Sequence, residues 1–341
     1  MSDPSLQQLL DQALNGSRRA TARLMTRVER SREGAEAVVR AIYPHTGAAQ
    51  IIGITGSPGS GKSTLVNELA KAFRCLTLES GKHPEVGIVA VDPSSPFTGG
   101  ALMGDRVRMR DLSGDEGIFI RSMASRGRLG GLAQATADVV KVLDAVGFDI
   151  ILIETVGAGQ AEVDIANTAP TTIVIEAPGM GDDIQSIKAG ILEIADILVV
   201  NKADLPNAKR TVQSLRQMQH LNPFGTRNSA AGELENGHEA DEKRWRTPLQ
   251  ETVATSGEGV DKLVDSIMKH RTYLLESGEL ARREQARSRH EIEQLLYHRL
   301  MRDLMEKVPA QERSQLIAEV ASRSRDPYQA VNKLYQQLAE S

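Results

Sequence analysis

An apolar run, Ile51-Ile52-Gly53-Ile54, leads into Gly56-Ser57-Pro58-Gly59-Ser60-Gly61-Lys62-Ser63-Thr64 and then into the helix-like Leu65-Val66-Asn67-Glu68-Leu69. Strand, glycine-rich turn and helix in this order form a complete phosphate-binding loop, and that loop works where a sheet delivers a strand end to a helix start. The glycines let the backbone curl so that several N–H groups face phosphate oxygens, and the helix presents its positive end to the same anion. Lys62 is expected to reach the β- and γ-phosphates, and the Ser63 hydroxyl to ligate Mg²⁺.

The rest of the chain fits that requirement. Apolar runs at residues 51–55, 85–91, 118–121, 150–155, 172–176, 197–201 and 251–254 alternate with helical patterns. Short, fully apolar strands between helices predict an α/β fold, a mostly parallel sheet covered by helices on both faces. Before it, Asp3-Pro4 opens a helix, Leu9, Leu10 and Leu14 form its apolar stripe, and Asn15-Gly16-Ser17 ends it and caps another. The expected organisation is an N-terminal helical extension over 1–47, a nucleotide-binding domain over 48–277 and a C-terminal helical arm over 278–341. Residues 223–247 are polar, rich in Gly, Asn and Glu, and read as a surface excursion with the lone Trp245 near its end. In the arm, Ile292, Leu296, Leu300, Leu304 and Val308 share a face with Leu295 and Met305. That face must pack on the arm's own later helices or on a second subunit, and periodicity alone equally allows a helical cap on the arm's own domain.

Bulk properties exclude several classes. A net charge of −4 over 341 residues gives no general attraction to nucleic acid or anionic lipid. No apolar stretch reaches the length of about 18 residues that a membrane span needs, and the acidic, polar start is unlike an export signal, so a cytoplasmic protein is expected. One cysteine, Cys75, allows no internal disulfide, and it is expected to pack as a small apolar residue of the helix after the loop. The seven histidines are scattered, which disfavours metal delivery as a function.

The phosphate loop does not name the base. Asn201-Lys202-Ala203-Asp204 does, because a carboxylate after a buried strand can accept two hydrogen bonds from guanine N1–H and its 2-amino group, where adenine offers no such pair. Hydrogen bonds to charged groups are worth about 1.5–3 kcal/mol each, so discrimination of about two to four decades is expected. Thr255-Ser256-Gly257, after a short strand, fits a turn contacting the base. Asp92 and Glu154 end apolar runs and should stand at the carboxyl edge of the sheet, where ligands bind in open α/β folds; with Asp105 they are the candidates to surround Mg²⁺, directly or through its waters.

The combination of Val91-Asp92-Pro93-Ser94-Ser95-Pro96, Gly104-Asp105-Arg106, Glu154-Thr155-Val156-Gly157 and Asn201-Lys202-Ala203-Asp204 resembles the MeaB/ArgK family of GTPases over nearly the whole chain. The resemblance implies a P-loop G domain related to nickel and cobalt metallochaperone GTPases, a homodimer made by the C-terminal arm, and a chaperone role. In that role GTP binding and hydrolysis are coupled to cofactor delivery to, and protection or reactivation of, adenosylcobalamin-dependent methylmalonyl-CoA mutase. It places GTP or GDP phosphates on 59–64 and guanine on Asn201, Lys202 and Asp204. Lys62, Asp92, Asp105 and Glu154 become the catalytic set, the acids lying around Mg²⁺ with Ser63. Mobile segments are implied at about 92–110 and 154–164, and a segment at 177–188 that speaks to the mutase, with Asp182, Gln185 and Lys188 as its contacts. Ala158 follows Gly157, and Gln160 comes two residues later, so no glutamine stands where Ras-like enzymes position water. Slow intrinsic hydrolysis is therefore expected, stimulated when a partner brings Arg108, Lys188 or another cation to the phosphates. A kinase or transport-linked ATPase of the ArgK type, transferring phosphate to a protein or small-molecule acceptor, remains the alternative.

Overall fold

The strand β1 (Gln50–Gly56) lies near the middle of a seven-stranded sheet in which every pairing is parallel. The computed structural model describes residues 4–92, 110–112, 114–124, 131–155, 165–179, 192–221 and 244–340. With β2 (Val86–Asp92), β3 (Ile118–Ala124), β4 (Ile150–Thr155), β5 (Thr171–Glu176), β6 (Ile197–Asn201) and β7 (Leu249–Thr252), the spatial order is β3-β2-β4-β1-β5-β6-β7. β4 and β5 flank β1 on opposite sides, so the winding reverses at β1, and a ligand crevice is expected outside the carboxyl ends of these three strands. The phosphate loop leaves β1 there.

Period-two alternation divides the sheet's side chains between two cores. On one face Ile52, Ile54 and Leu152 pack with Leu65, Val66, Leu69 and Phe73 of α4 (Lys62–Arg74) and with Leu263, Val264 and Ile267 of a later helix, Val260–Glu276. On the other, Ile151 and Ile153 pack with Val139, Val140 and Leu143 of α5 (Gly131–Ala145). The N-terminal helices α1 (Pro4–Leu14), α2 (Arg18–Arg30) and α3 (Arg32–Ile42) belong to this second core, through Leu10, Leu24, Met25, Val38 and Ile42. Each fully buried side chain of this size contributes about 1.5–3 kcal/mol, so the helical extension is an outer layer of the domain that it precedes. Gly16 at φ 86° ends α1, and the Ser17 hydroxyl caps α2 by accepting from the Ala20 N–H. The Asp144 carboxylate accepts the backbone N–H groups of Gly47, Ala48 and Ala49 and so fixes the entry into β1.

Three expectations need correction. Cys75 is exposed, because α4 ends at Arg74 and Cys75 is its C-cap, its N–H turned back to Lys71 and Ala72 carbonyls. β3 runs three residues beyond the expected 118–121, to Ala124; the Arg121 guanidinium donates two bonds of 2.7 Å to Glu29 on α2, which accommodates its charge within the strand. β7 lies two residues earlier than the 251–254 expected, because the Val253 N–H turns to Glu258 and the Ala254 N–H to Asn201 Oδ1, which takes the chain out of the sheet. Of the excursion expected at 223–247, residues 223–243 lie outside the described residues, and Trp245 near its end donates from Nε1 to the Asp196 carbonyl at 2.8 Å.

Helices α6 (Ala208–Leu221) and α7 (Val260–Glu276) complete the domain. Residues 1–280 form one unit and 281–341 a second. The second contains most of α8 (Glu279–Lys307), then α9 (Ala310–Ala321) and α10 (Pro327–Glu340). Val308, Leu316 and Ala330 are buried there, while Ile292, Leu296 and Leu300 on α8 are 65%, 54% and 49% exposed. The later helices therefore cover the end of the stripe at Val308 and leave its first three residues open. Ile317, Tyr328, Val331 and Tyr335 are exposed as well. Among the described residues no helix is long and apolar enough to cross a membrane.

Candidate nucleotide site

Gly56 ends β1 at φ 138°, and a side chain there would run into the carbonyl of Ile175 on β5. Gly61, at φ 91°, is the N-cap of α4, and no side-chain cap occupies that helix start. The first N–H groups of α4 thus have no intrahelical partner and no capping hydroxyl, which is the arrangement that takes up an anion. Pro58 and Gly59 are exposed, Ser57 and Thr64 half-buried, and Ser60, Lys62 and Ser63 buried. Lys62 Nζ donates to the carbonyl oxygens of Gly56 at 2.8 Å and Ser57 at 2.9 Å, which holds the ammonium inside the loop.

Ser63 Oγ donates to Glu154 Oε1 at 2.5 Å, and Glu154 is fully buried at the end of β4. The sequence pairs these two residues as magnesium-side groups, and the fold brings them together from positions 91 residues apart. A buried carboxylate beside a hydroxyl is a hard-oxygen donor set of the kind Mg²⁺ takes with retained waters. Asp92 ends β2 at the same edge, in register with Ala124 of β3. Thr155 Oγ1 donates to Thr55 Oγ1 at 3.0 Å, tying β4 to β1 beneath the loop. Asp105, Asp182, Gln185 and Lys188, like Arg108, Gly157, Ala158 and Gln160, lie outside the described residues.

The base side is strapped to the phosphate side. Asn201, at the end of β6, donates from Nδ2 to the Ser60 carbonyl at 2.8 Å, and its Oδ1 accepts from the Ala254 N–H at 3.0 Å and the Thr252 hydroxyl at 3.1 Å. Through these bonds Asn201 holds the phosphate loop, β6 and the turn after β7 in one arrangement. Lys202 Nζ donates to the Gly59 carbonyl at 3.0 Å, with Lys202 itself at φ 58°. Its alkyl stem therefore runs from the base segment to the phosphate loop. Asp204 is exposed. Thr255 and Ser256 are exposed and Gly257 half-buried in a tight turn closed by Ser256 N–H to the Val253 carbonyl.

One residue of the site escaped the sequence reading. Glu176 ends β5, is 5% exposed, and accepts the Ser57 hydroxyl at 2.8 Å. The signal was available: an acid closes an otherwise apolar strand, as Asp92 and Glu154 do.

Residues 21–309 match the family described as Methylmalonyl Co-A mutase-associated GTPase MeaB. A protein of Pyrococcus abyssi named as a GTPase is 45% identical over 333 residues, covering 98% of this chain and 97% of that protein. The mitochondrial methylmalonic aciduria type A homolog of Mus musculus is 35% identical over 237 residues, 69% of this chain and 52% of that protein. A crystal structure of LAO/AO transport system kinase aligns with a TM-score of 0.69 over 98% of both chains at 23% identity, a likeness of fold. The family match runs from α2 to just past α8 and contains every site residue named above. The chain belongs to the family of Methylmalonyl Co-A mutase-associated GTPase MeaB, and it is a GTPase.

Proposed function

We propose that this GTPase is a chaperone of an adenosylcobalamin-dependent methylmalonyl-CoA mutase, coupling GTP binding and hydrolysis to cofactor delivery and to protection or reactivation of the mutase. The observation that carries the reading is the family match over residues 21–309, joined to a site in which Asn201 fastens the phosphate loop to the base-recognition segment. In this reading Asp204, with Lys202 alongside, selects guanine, the turn at 255–257 closes on the base, and the loop from Gly56 to Thr64 takes the phosphates. Lys62 neutralises charge on the β- and γ-phosphates. Ser63 and Glu154, with Asp92 and Asp105, would hold Mg²⁺, which lends further charge neutralisation when bound. Glu154 accepts the Ser63 proton and so keeps that hydroxyl oxygen turned toward the carboxyl edge.

Hydrolysis by the isolated protein is slow, because Ala158 stands where a water-positioning glutamine would, and a partner completes the site by bringing Arg108 or Lys188 to the phosphates. The segment containing Asp182, Gln185 and Lys188 carries the message to the mutase. A second copy of the chain covers the exposed α8 face, giving a homodimer acting in the cytoplasm. Titrating the purified protein with the mutase, in the presence of GDP or a non-hydrolysable GTP analogue, tests the proposal. Complex formation that depends on the nucleotide, and phosphate release accelerated by the mutase, are expected. Turnover of several per second without the mutase and unchanged by it would overturn the reading. The neighbour described as a transport system kinase favours phosphoryl transfer to an acceptor as a second reading. Labelled phosphate appearing on protein or small molecule, in place of free phosphate, would establish it.

A further inference from the structure

The buried carboxylate of Glu176 and the ammonium of Lys62 meet on the same loop residue. Glu176 Oε2 accepts from the Ser57 hydroxyl at 2.8 Å, and the Ser57 carbonyl accepts from Lys62 Nζ at 2.9 Å. Ser57 therefore stands at the end of the site that the lysine serves, where the terminal phosphate of a triphosphate lies. The loop has no slack with which to withdraw: Gly56 pairs in register with Ile175, the residue before Glu176, so closely that no side chain fits between them. An incoming terminal phosphate must settle one residue away from a negative charge that is 5% exposed and hence poorly screened by solvent.

We propose that Glu176 is a specificity-determining residue of the phosphate site: partly shielded by the Ser57 hydroxyl, its buried carboxylate opposes the terminal phosphate and sets how strongly a nucleoside triphosphate is distinguished from the diphosphate. The β-phosphate is held by the helix start and the middle of the loop, so both nucleotides share that binding, whereas only the triphosphate places charge against Ser57. Lys62 attracts and Glu176 repels at the same point. Their balance gives a site whose occupancy by triphosphate stays sensitive to anything that moves the end of β5. The inference rests on the guanine-nucleotide reading of the site.

Calorimetry on the full chain, with GDP and with a non-hydrolysable GTP analogue in Mg²⁺, tests it. Glu176→Gln keeps an acceptor for Ser57 and removes the charge; the preference for analogue over GDP should rise about tenfold, the size expected of one nearby charge in a partly screened interior. Ser57→Ala, at a half-exposed loop position that leaves the sheet intact, removes the hydroxyl that shields the carboxylate, and the same preference should fall. A merely structural role for Glu176 would weaken both nucleotides together and move the two variants alike. A preference ratio unchanged in Ser57→Ala, or shifted in the same direction by both substitutions, overturns the proposal. Wild-type protein that binds GDP no better than ADP overturns the guanine-nucleotide reading along with it, so the two failures are distinguishable.

Discussion

The carboxyl edge of the sheet and the C-terminal helices each hold side chains where solvent energetics alone would not put them. At the edge, Lys62, Glu154 and Glu176 are buried. In the helices, Ile292, Leu296, Leu300 and Tyr328 are exposed. The buried charges have hydrogen-bond partners supplied by the loop itself, in Gly56, Ser57 and Ser63, so that region is organised before any ligand arrives. The exposed apolar face has no such internal answer. Among the described residues, one region is organised for a small anion, while the other leaves an apolar face open. At the edge the chain completes the polar network itself, because a half-satisfied buried charge is costly; along the helices apolar area of the kind that marks interaction sites stays uncovered.

The comparison can be broken at several points. Lys62→Ala should leave the fold intact and lower GTP turnover by about a thousandfold, as removal of a charged donor from a phosphoryl-transfer site does; phosphate release alongside circular dichroism measures both. Asp204→Asn should cost about two to three decades in GTP affinity and shift preference toward xanthine nucleotides, read by competition binding. Unchanged GTP preference there would remove the assigned base contact. Leu296→Glu should halve the mass seen by light scattering while GDP affinity stays within about twofold, as expected of sites that share no partners; loss of GDP binding would show that the two regions are not separable.

Smaller effects sharpen the picture of a pre-built edge. Asn201→Ala leaves the Ala254 N–H, the Thr252 hydroxyl and the Ser60 carbonyl without their partner and should destabilise the protein by about 2–3 kcal/mol, a fall in melting temperature of about 5–10 °C. Asp115 offers the smallest. Its carboxyl is held below the ordinary value chiefly by the hydrogen bond from Arg74, against the opposing effect of burial. A carboxyl lowered by folding contributes stability that is present above its unfolded value of about 3.9 and lost as pH falls through the folded one. Asp115→Asn should therefore lower the melting temperature at neutral pH by no more than about 2 °C, the pair being partly solvent-screened, and the gap should close below about pH 4.

Much of this was legible in the sequence because the signals were local. The phosphate loop, strand β4 at 150–155, strand β6 at 197–201 and the helix caps at Gly16 and Ser17 each announce themselves within a few residues. What was missed depended on distant partners. The continuation of β3 past Arg121 depends on Glu29, 92 positions away, which pairs that charge. Ser57 and Glu176, 119 positions apart, are linked by nothing in the local pattern. The three protein groups that Asn201 bonds, at Ser60, Thr252 and Ala254, are joined by no spacing rule. Cys75 was taken for a helix interior because composition does not mark the final turn.

Lys202 occupies left-handed backbone space without being glycine, a conformation that costs an L-residue about 1 kcal/mol or more. The molecule tolerates that tension for the sake of a side chain that bridges to Gly59. Replacing it with glycine would relax the backbone and cut the bridge to Gly59 in one step, so relief of that tension and loss of the tie between the two segments come together at this position.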